Sequence, residues 1–331
     1  MKTILFTHEI DIDGLGCAIL ARLSFSNPKI ILCANPNTLT DSVKKYYDSK
    51  KLYDYDVIYI TDLSLLNPML DTIAHDEVLS KKIQIFDHHK SAIDLGLNKY
   101  SFTHIQVMDG DRMNSGTKLF YDYLVSKKLI KSTNSLDEFV ELTRLEDTWE
   151  WRNDPINGTK AWDLAVFLGI LGKEEYINII IKKLIDNPTC FDFSQDEQKI
   201  IDETKERYAR KIKEIWESKE YLVDDDGNKF AIVLCSSEYT GGLVEYVRSI
   251  EKDIKYFIVI DLDNLPLSKK SYRNVDESFD VSKVAIAHGG AGHKGASGVP
   301  ISLEQKQEAL KLLSENKIEG LKYLVNSKYS V

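Results

Sequence analysis

Short apolar runs alternate with longer amphipathic stretches over the first hundred residues. Four runs rich in β-branched and aromatic residues end in polar groups: KTILFTH (2–8), KIILCA (29–34), DVIYITD (56–62) and KIQIFDHH (82–89). Runs of this length and composition are typical of buried strands. Helical patterns lie between them, near residues 14–25, 38–50 and 66–80. The alternation predicts a βαβ series, and therefore a doubly wound parallel sheet.

The middle of the chain is predicted to be mostly helical. Residues 115–186 show the helical period in several pieces, and Ser115 and Ser135 stand where a side chain can cap a helix N-terminus. A charged helical stretch follows at 194–220, and the sequence Asp-Asp-Asp-Gly-Asn at 224–228 predicts a turn. We expect the charged stretch to link two domains.

Strand and helix patterns resume beyond the turn. Strands are predicted in FAIVLCSS (230–237) and YFIVIDL (256–262), a strand or turn near 268–273, and helices near 241–252 and 303–314. The chain is therefore predicted to be α/β throughout, with two domains and a cleft between them. A doubly wound parallel-sheet domain covers 1–190, a helical linker 191–222, and a smaller α/β domain 223–331.

Composition narrows the possible compartments and partners. The 331 residues carry a net charge of −9, and no apolar stretch approaches the length of a membrane span. The start, MKTILFTHEIDID, has too short an apolar run for a signal peptide, and the four cysteines are scattered without a CxxC pair. We therefore expect a cytoplasmic protein that uses neither disulfides nor thiolate metal ligands. Proteins that bind long nucleic acid usually carry a basic surface, so the negative charge indicates a short substrate. The lack of a long apolar stretch indicates that no membrane is a partner.

Metal-capable side chains follow three of the predicted strands. They are His8, Asp11 and Asp13 after the first, Asp62 after the third, and Asp87, His88 and His89 after the fourth. Each group alone could be a turn, a helix cap or a surface histidine, but parallel strands bring their carboxyl ends to one edge. Carboxylates gathered there would repel one another, and two divalent cations would remove that repulsion. Carboxylate and imidazole ligands without sulfur favour Mn²⁺, and a two-metal site is suited to cleaving phosphoesters.

These residues resemble a known family. THEIDIDGLG (7–16), ITDLS (60–64) and FDHH (86–89) are similar to the first three motifs of the DHH phosphoesterase superfamily. The fourth motif of that superfamily is an Asp after the fourth strand, and LEDTWEW (145–151) offers Asp147. The surrounding Asp-Thr-Trp-x-Trp resembles the oligoribonuclease (nanoRNase) branch, nearer its B type. Trp149 and Trp151 flank Asp147 and are expected to brace it.

The C-terminal part resembles the DHHA1 domain that accompanies this superfamily. HGGAGHKGASG (288–298) is similar to its glycine-rich motif, and SYR (271–273) to its Ser-x-Arg. Glycines let backbone amides approach a phosphate closely, and arginine and histidine can bind phosphate oxygens. The resemblance implies a substrate-binding set made of Ser271, Arg273, Gly289, Gly290 and His293.

The resemblance also implies a division of the metal ligands. One cation would be held by His8, Asp11 and Asp62, and the other by Asp13, Asp62, His88 and Asp147, with Asp62 shared. His89 would contact the scissile phosphate, and Asp87 would orient the histidines. The sequence departs from the branch in one respect, since two residues separate His8 from Asp11 where one is usual.

The resemblance implies a two-metal phosphodiesterase, most simply an exoribonuclease. Its substrates would be very short RNA fragments or linear dinucleotides, cleaved to mononucleotides. A 3′-phosphoadenosine 5′-phosphate phosphatase or a cyclic-nucleotide phosphodiesterase would use the same ligands. A protein that sequesters nucleotides without cleaving them is a further alternative, although it has no need of so many metal ligands. The oligomeric state stays open, with a homodimer as one outcome.

Overall fold

The computed structural model describes residues 1–262 and 268–325. The chain divides into two compact units, and the boundary between them falls between Asp202 and Glu203. The long helix Gln195–Glu217 runs through that boundary. Among the described residues, no helix combines the length and the apolar character that crossing a membrane requires.

The first unit is built on a parallel five-stranded sheet. Its strands are β1 (Thr3–His8), β2 (Lys29–Cys33), β3 (Val57–Thr61), β4 (Ile83–Asp87) and β5 (Thr103–Ile105), with a short hairpin of β6 (Met108–Asp109) and β7 (Arg112–Met113). Its helices are α1 (Ile12–Ser24), α2 (Pro36–Asp48), α3 (Met69–Ala74), α4 (Lys90–Asp94), α5 (Gly116–Ser126), α6 (Asn134–Asp147), α7 (Gly158–Leu171), α8 (Lys173–Asp186) and the first turns of α9 (Gln195–Glu217). The order across the sheet is β2-β1-β3-β4-β5.

Helices cover both faces of this sheet because side chains alternate along each strand. Leu5, Tyr59 and Phe86 face the core that holds α1, α5 and α6. Their neighbours Ile4 and Ile58 face the opposite core, which includes residues of α2 and α3. The predicted doubly wound parallel sheet is confirmed. In this strand order, the direction of winding reverses between β1 and β3, where such sheets place their sites.

Local details differ from the sequence prediction in two places. The helical pattern at 66–80 forms only the short helix α3 and a 3₁₀ turn at Leu79–Lys81. Ser115 caps α5 as predicted, and its hydroxyl accepts a hydrogen bond from Lys118 N at 3.2 Å. Ser135, however, lies inside α6, whose cap is Thr133. Both hydroxyl residues suit a cap, and the helix starts at the earlier one.

The second unit carries a mixed sheet. Its strands are β8 (Glu220–Val223), β9 (Lys229–Leu234), β10 (Tyr256–Asp261), β11 (Lys269–Asn274), β12 (Ala291–His293) and β13 (Ala296–Pro300). Its helices, beyond α9, are α10 (Thr240–Ile250), α11 (Val281–Ala287), α12 (Leu303–Glu315) and α13 (Lys317–Val325). The order is β12-β13-β11-β10-β9-β8, with β9 and β10 parallel and the other pairs antiparallel. Apolar clusters lie on both faces of this sheet, which confirms the second α/β domain.

Candidate metal centre and active site

The candidate site lies at the carboxyl ends of β1, β3 and β4. His8 ends β1, and Asp11 caps α1 by accepting a hydrogen bond from Gly14 N at 3.0 Å. Asp62 follows β3 directly, and Asp87 ends β4. Gly14 is required here, because a Cβ at that position would lie 2.2 Å from the His8 carbonyl oxygen. The turn from β1 into α1 is therefore tight, and Asp11 and Asp13 stay at the edge of the sheet.

The first group of possible ligands surrounds the imidazole of His8. Its Nδ1 atom lies 2.8 Å from Asp11 Oδ2 and 3.4 Å from Asp62 Oδ2. The three side chains place one donor atom each within a radius that one cation can span. The two-residue spacing between His8 and Asp11 therefore does not keep them apart.

The second group surrounds the imidazole of His88. Its Nε2 atom lies 3.3 Å from Asp62 Oδ1 and 3.5 Å from Asp147 Oδ2. Asp13 Oδ2 is 3.8 Å from the same nitrogen. Asp147 is the last residue of α6, so it reaches the site from a helix. Asp62 directs one carboxylate oxygen towards His8 and the other towards His88, so it faces both groups of possible ligands.

Three of the possible metal-ligand atoms in these groups are buried without a hydrogen bond to any residue that the structure describes. Asp62 Oδ2, His88 Nε2 and Asp147 Oδ2 are buried, and none has a hydrogen-bond partner within residues 1–262 and 268–325. An unsatisfied buried polar atom is strongly unfavourable. Two ligand atoms each about 2.0–2.2 Å from one ion lie roughly 3 to 3.5 Å apart. The separations around His88 are close to this value, so the residues present fit a divalent cation.

The pKa values of the site describe an acidic cluster under strong mutual repulsion. Burial, and then the charge of Asp13, raise the pKa of Asp62 well above its usual value. The same two causes raise the pKa of Asp147 to about 9. Burial alone would lower the pKa of His8, but the adjacent carboxylates of Asp11 and Asp62 raise it to about 10. Positive charge is therefore favoured at this site, whether it comes from protons or from cations.

His89 differs from His88 in its partners. Its Nδ1–H donates to Asp87 Oδ1 at 2.7 Å, and its backbone N–H donates to the same oxygen at 2.9 Å. Asp87 is buried and also accepts a hydrogen bond from the Ser64 hydroxyl. The hydrogen bond to Asp87 raises the pKa of His89, against the effect of burial. The imidazole is thus held in one orientation, with Nε2 left for another partner.

The second unit places Ser271, Arg273 and His293 on one face of its sheet. Arg273 of β11 pairs with Ala296 of β13, and Ala296 pairs with His293 of β12. Directly paired residues share a face, as do residues two apart along one strand. The Cα atoms of Arg273 and His293 are therefore about 10 Å apart, two strand spacings. An arginine and a histidine at that separation can contact the same phosphate-bearing group.

Gly289 and Gly290, which were predicted to bind phosphate through their amides, lie just after α11. Gly289 N donates to Ile286 O at 3.0 Å and Gly290 N donates to Ala285 O at 2.8 Å, so both amides close the C-terminus of α11. Gly289 has φ 77°, and a Cβ on Gly290 would lie 2.3 Å from Gly298 O. The glycines are therefore needed for the turn, and their amides are not free phosphate donors.

Comparison with known proteins identifies the family. The oligoribonuclease NrnB of Bacillus subtilis (strain 168) is 32% identical over 305 residues, which cover 91% of this chain and 73% of that protein. The chain belongs to the NrnB oligoribonuclease family. The resemblance to the oligoribonuclease (nanoRNase) branch inferred from the sequence is thus confirmed, and the chain is a hydrolase of phosphoester bonds. No family model matches the chain.

One solved structure shares the fold of this chain. The DHH domain of a protein described as a member of a family of ribosomal proteins superposes with a TM-score of 0.60 at 12% identity. The match covers 95% of this chain and 86% of that one. A pGpG-specific phosphodiesterase from Vibrio cholerae covers 99% of both chains, with a TM-score of 0.49 and 12% identity. This last similarity is too low to support a conclusion about function.

Sequence reasoning missed the part of this NrnB-family site that α5 supplies. Asp13 is completely buried, and its two carboxylate oxygens accept hydrogen bonds from Gly116 N at 2.6 Å and Thr117 N at 2.8 Å. The positive end of α5 thereby stabilises the Asp13 carboxylate. The residues are more than a hundred positions apart, so spacing gave no signal. Ser115 indicated where α5 begins, but the sequence did not indicate that the N-terminus of this helix contacts Asp13.

Proposed function

We propose that this protein hydrolyses the phosphodiester bonds of very short oligoribonucleotides and linear dinucleotides, releasing mononucleotides. The observation that carries the proposal is the set of buried, unpartnered donor atoms on Asp62, His88 and Asp147. Family membership supports the reaction class, since a protein with 32% identity is an oligoribonuclease. The net charge of −9 supports a short substrate, because a long strand would be repelled beyond the site.

Two divalent cations are proposed to occupy the two groups of possible ligands. His8, Asp11 and Asp62 would hold one, and Asp13, Asp62, His88 and Asp147 would hold the other. Oxygen and imidazole donors together suit Mn²⁺ better than Ca²⁺, which prefers oxygen ligands alone. When bound, such ions activate water and stabilise the charge that develops on a phosphate.

His89 is proposed to hold the scissile phosphate. Asp87 accepts the Nδ1–H of His89 and stabilises the protonated imidazole, so that Nε2–H can donate to a phosphate oxygen. The hydrogen bond from Ser64 to Asp87 keeps the carboxylate in place. A fixed donor needs no reorganisation as charge moves onto the phosphate oxygens, and this contributes to the rate.

The second unit is proposed to bind a part of the substrate that does not react. Arg273 and His293 share one face of its sheet and can hold a second phosphate or a terminal nucleotide. Ser271 lies on the same face, two residues from Arg273. Binding energy gained there would be used to position the scissile bond. In this proposal, the first unit is the DHH catalytic domain and the second is a DHHA1 substrate-binding domain.

The proposal is tested by comparing substrates at one concentration of protein and Mn²⁺. A dinucleotide, a pentanucleotide, a long RNA, 3′-phosphoadenosine 5′-phosphate and a cyclic dinucleotide are incubated separately, and products are separated by chromatography. We expect the dinucleotide and pentanucleotide to be cleaved fastest, with mononucleotides as products. Asp62→Asn should abolish this activity, whereas Asp41→Asn, on the exposed face of α2, should retain it.

Three results would contradict the proposal. Preference for 3′-phosphoadenosine 5′-phosphate would make the protein a phosphatase, and preference for the cyclic dinucleotide would make it a cyclic-nucleotide phosphodiesterase. Binding of the dinucleotide without any product, in the presence of Mn²⁺, would leave only a sequestering role.

A further inference from the structure

Trp149 has a combination of features that packing does not explain. Its backbone is left-handed, with φ 62° and ψ 8°, which is unfavourable for a bulky L-residue. Its side chain is 54% exposed, although an indole of this size is normally well buried. Backbone strain of this kind is often found at functional sites. Asp62, the proposed shared ligand, has a left-handed backbone as well, with φ 57°.

The indole of Trp149 ends a column of stacked groups. The Arg152 guanidinium lies 4.0 Å from the centre of the Trp149 ring and 5.2 Å from that of the Trp151 ring. Trp151 in turn stacks on Trp162, with ring centres 5.6 Å apart and an angle of 12° between the planes. Trp151 is therefore held between Arg152 and Trp162. Trp149 stands at the outer end, where its ring is fixed by the column but remains exposed to solvent.

Hydrogen bonds also hold the turn that contains Trp149. Arg144 is buried, and its guanidinium donates to Glu150 Oε2 at 2.6 Å and to Met113 O at 2.8 Å. Glu150 Oε1 accepts a hydrogen bond from Met113 N at 2.9 Å. The hairpin of β6 and β7 is thus tied to the residue that follows Trp149. A ring held in this way loses little conformational entropy when a ligand stacks on it.

The backbone of Trp149 is close to Asp147, a proposed ligand of the candidate metal centre. Two residues of chain span at most about 7 Å, and Trp149 follows Asp147 by two positions. We propose that the exposed Trp149 ring is the platform on which a nucleobase of the substrate stacks, next to the scissile phosphate. The inference rests on the proposed function and adds that the site recognises an aromatic base as well as phosphate. Stacking on an aromatic ring is tolerant of base identity, so it selects nucleotides without selecting a sequence.

The test compares a dinucleotide with analogues in which tetrahydrofuran replaces one or both bases. Trp149→Gly removes the ring and also relieves the backbone, because glycine adopts φ near +60° without strain. We expect kcat/KM for the dinucleotide to fall about 10- to 100-fold, as for other lost base–aromatic stacks. Hydrolysis of the fully base-free analogue should be almost unchanged. Trp149→Phe should recover most of the loss, and the unfolding midpoint of Trp149→Gly should not fall.

Equilibrium binding of the dinucleotide and of the base-free analogue is measured as well as turnover. The stacking platform is then tested even if the protein does not cleave the phosphodiester bond. Ile156→Ala is the matched control, since Ile156 is an apolar residue of the same segment and is 84% exposed. Equal losses on base-bearing and base-free substrates in Trp149→Gly would show a structural role and overturn the platform. Wild-type protein that binds both substrates equally tightly would overturn it as well. Base-dependent binding without cleavage would leave the platform intact and refute the proposed function alone.

Discussion

At the scale of single residues, the carboxylates of Asp62 and Asp147 are in buried surroundings that disfavour an uncompensated negative charge. Both have an oxygen without a hydrogen-bond partner in the described part of the chain. Asp62 also has a left-handed backbone, which for an L-residue costs roughly 1–2 kcal/mol. Such features lower stability unless something binds them. The site is therefore built for a ligand that compensates the buried negative charge, and stability without that ligand should depend on pH.

Asp147 gives a pH prediction for protein stripped of divalent cations. Its pKa is raised to about 9, first by burial and then by Asp13, whereas an unfolded Asp titrates near 3.9. Between those values the folded state holds a proton that the unfolded state has lost. The free energy of unfolding should therefore fall as pH rises from about 4 towards 9, by at most about 1.4 kcal/mol per pH unit for this group. Asp147→Asn should make the decline shallower.

The measurement is urea unfolding in excess chelator at several pH values between 5 and 8. Asp41→Asn, on the exposed face of α2, serves as the control and should keep the wild-type slope. Equal slopes in wild type and Asp147→Asn would show that Asp147 does not take up a proton on folding.

At the scale of elements, the N-terminus of α5 supports two of the proposed ligands. A Cβ on Gly116 would lie 2.7 Å from Asp62 Cβ and 3.0 Å from Asp13 Oδ2. Gly116→Ala must therefore displace one of these carboxylates or the start of the helix. Because small misplacements of catalytic groups are costly, we expect turnover to fall by roughly 10- to 100-fold. Steady-state kinetics with a dinucleotide and Mn²⁺ would measure the loss.

Gly169→Ala is the matched control for that substitution. Gly169 is also in a helix, α7, but a Cβ there meets nothing within 4 Å. Alanine is the better helix former, so this variant should keep full activity and gain up to about 1 kcal/mol of stability. If Gly116→Ala behaved in the same way as Gly169→Ala, the contact between α5 and the ligands would have no functional importance.

The elements that the sequence predicted well are those with strong internal patterns. Strands β1 to β4 lie within one or two residues of their predicted bounds, because each is an apolar run ended by a polar group. Their common direction brought His8, Asp62 and His88 together, since parallel strands end at one edge. Short strands such as β5, β8 and β12 escaped prediction, because three or four residues carry too little pattern.

Contacts between distant parts of the chain could not be predicted from the sequence. The hydrogen bonds from α5 to Asp13 join segments that no local pattern relates. The amides of Gly289 and Gly290 were expected to bind phosphate, yet they close the end of α11, a helix that was not predicted. A glycine-rich stretch serves a helix end and a ligand loop equally well. Only the identity of the preceding element distinguishes the two uses.

At the scale of the whole molecule, catalysis is proposed to belong to the first unit and binding of the non-reacting part of the substrate to the second. Every proposed metal ligand lies before Asp202, whereas Arg273 belongs to the second unit. Arg273→Ala should lower kcat/KM for a short oligonucleotide by about 10- to 100-fold, as expected for a lost charged hydrogen bond. Hydrolysis of bis-p-nitrophenyl phosphate, which has no remote phosphate, should change little, and Mn²⁺ binding should persist.

His293→Ala tests the same face through a different side chain and should give the same substrate dependence. Losses of equal size on the oligonucleotide and on bis-p-nitrophenyl phosphate would contradict the division of labour. Arg273 and His293 would then contribute to the chemistry or to the fold.

The central claim is that the Asp62 carboxylate joins two cation sites in one centre. Its most direct test is the stoichiometry of Mn²⁺ binding, measured by equilibrium titration of chelator-treated protein and checked by metal analysis. We expect two Mn²⁺ ions per chain in the wild type, one in Asp147→Asn, and weakened binding of both ions in Asp62→Asn, with the fold retained. A single ion in the wild type, or two tightly bound ions in Asp62→Asn, would contradict it.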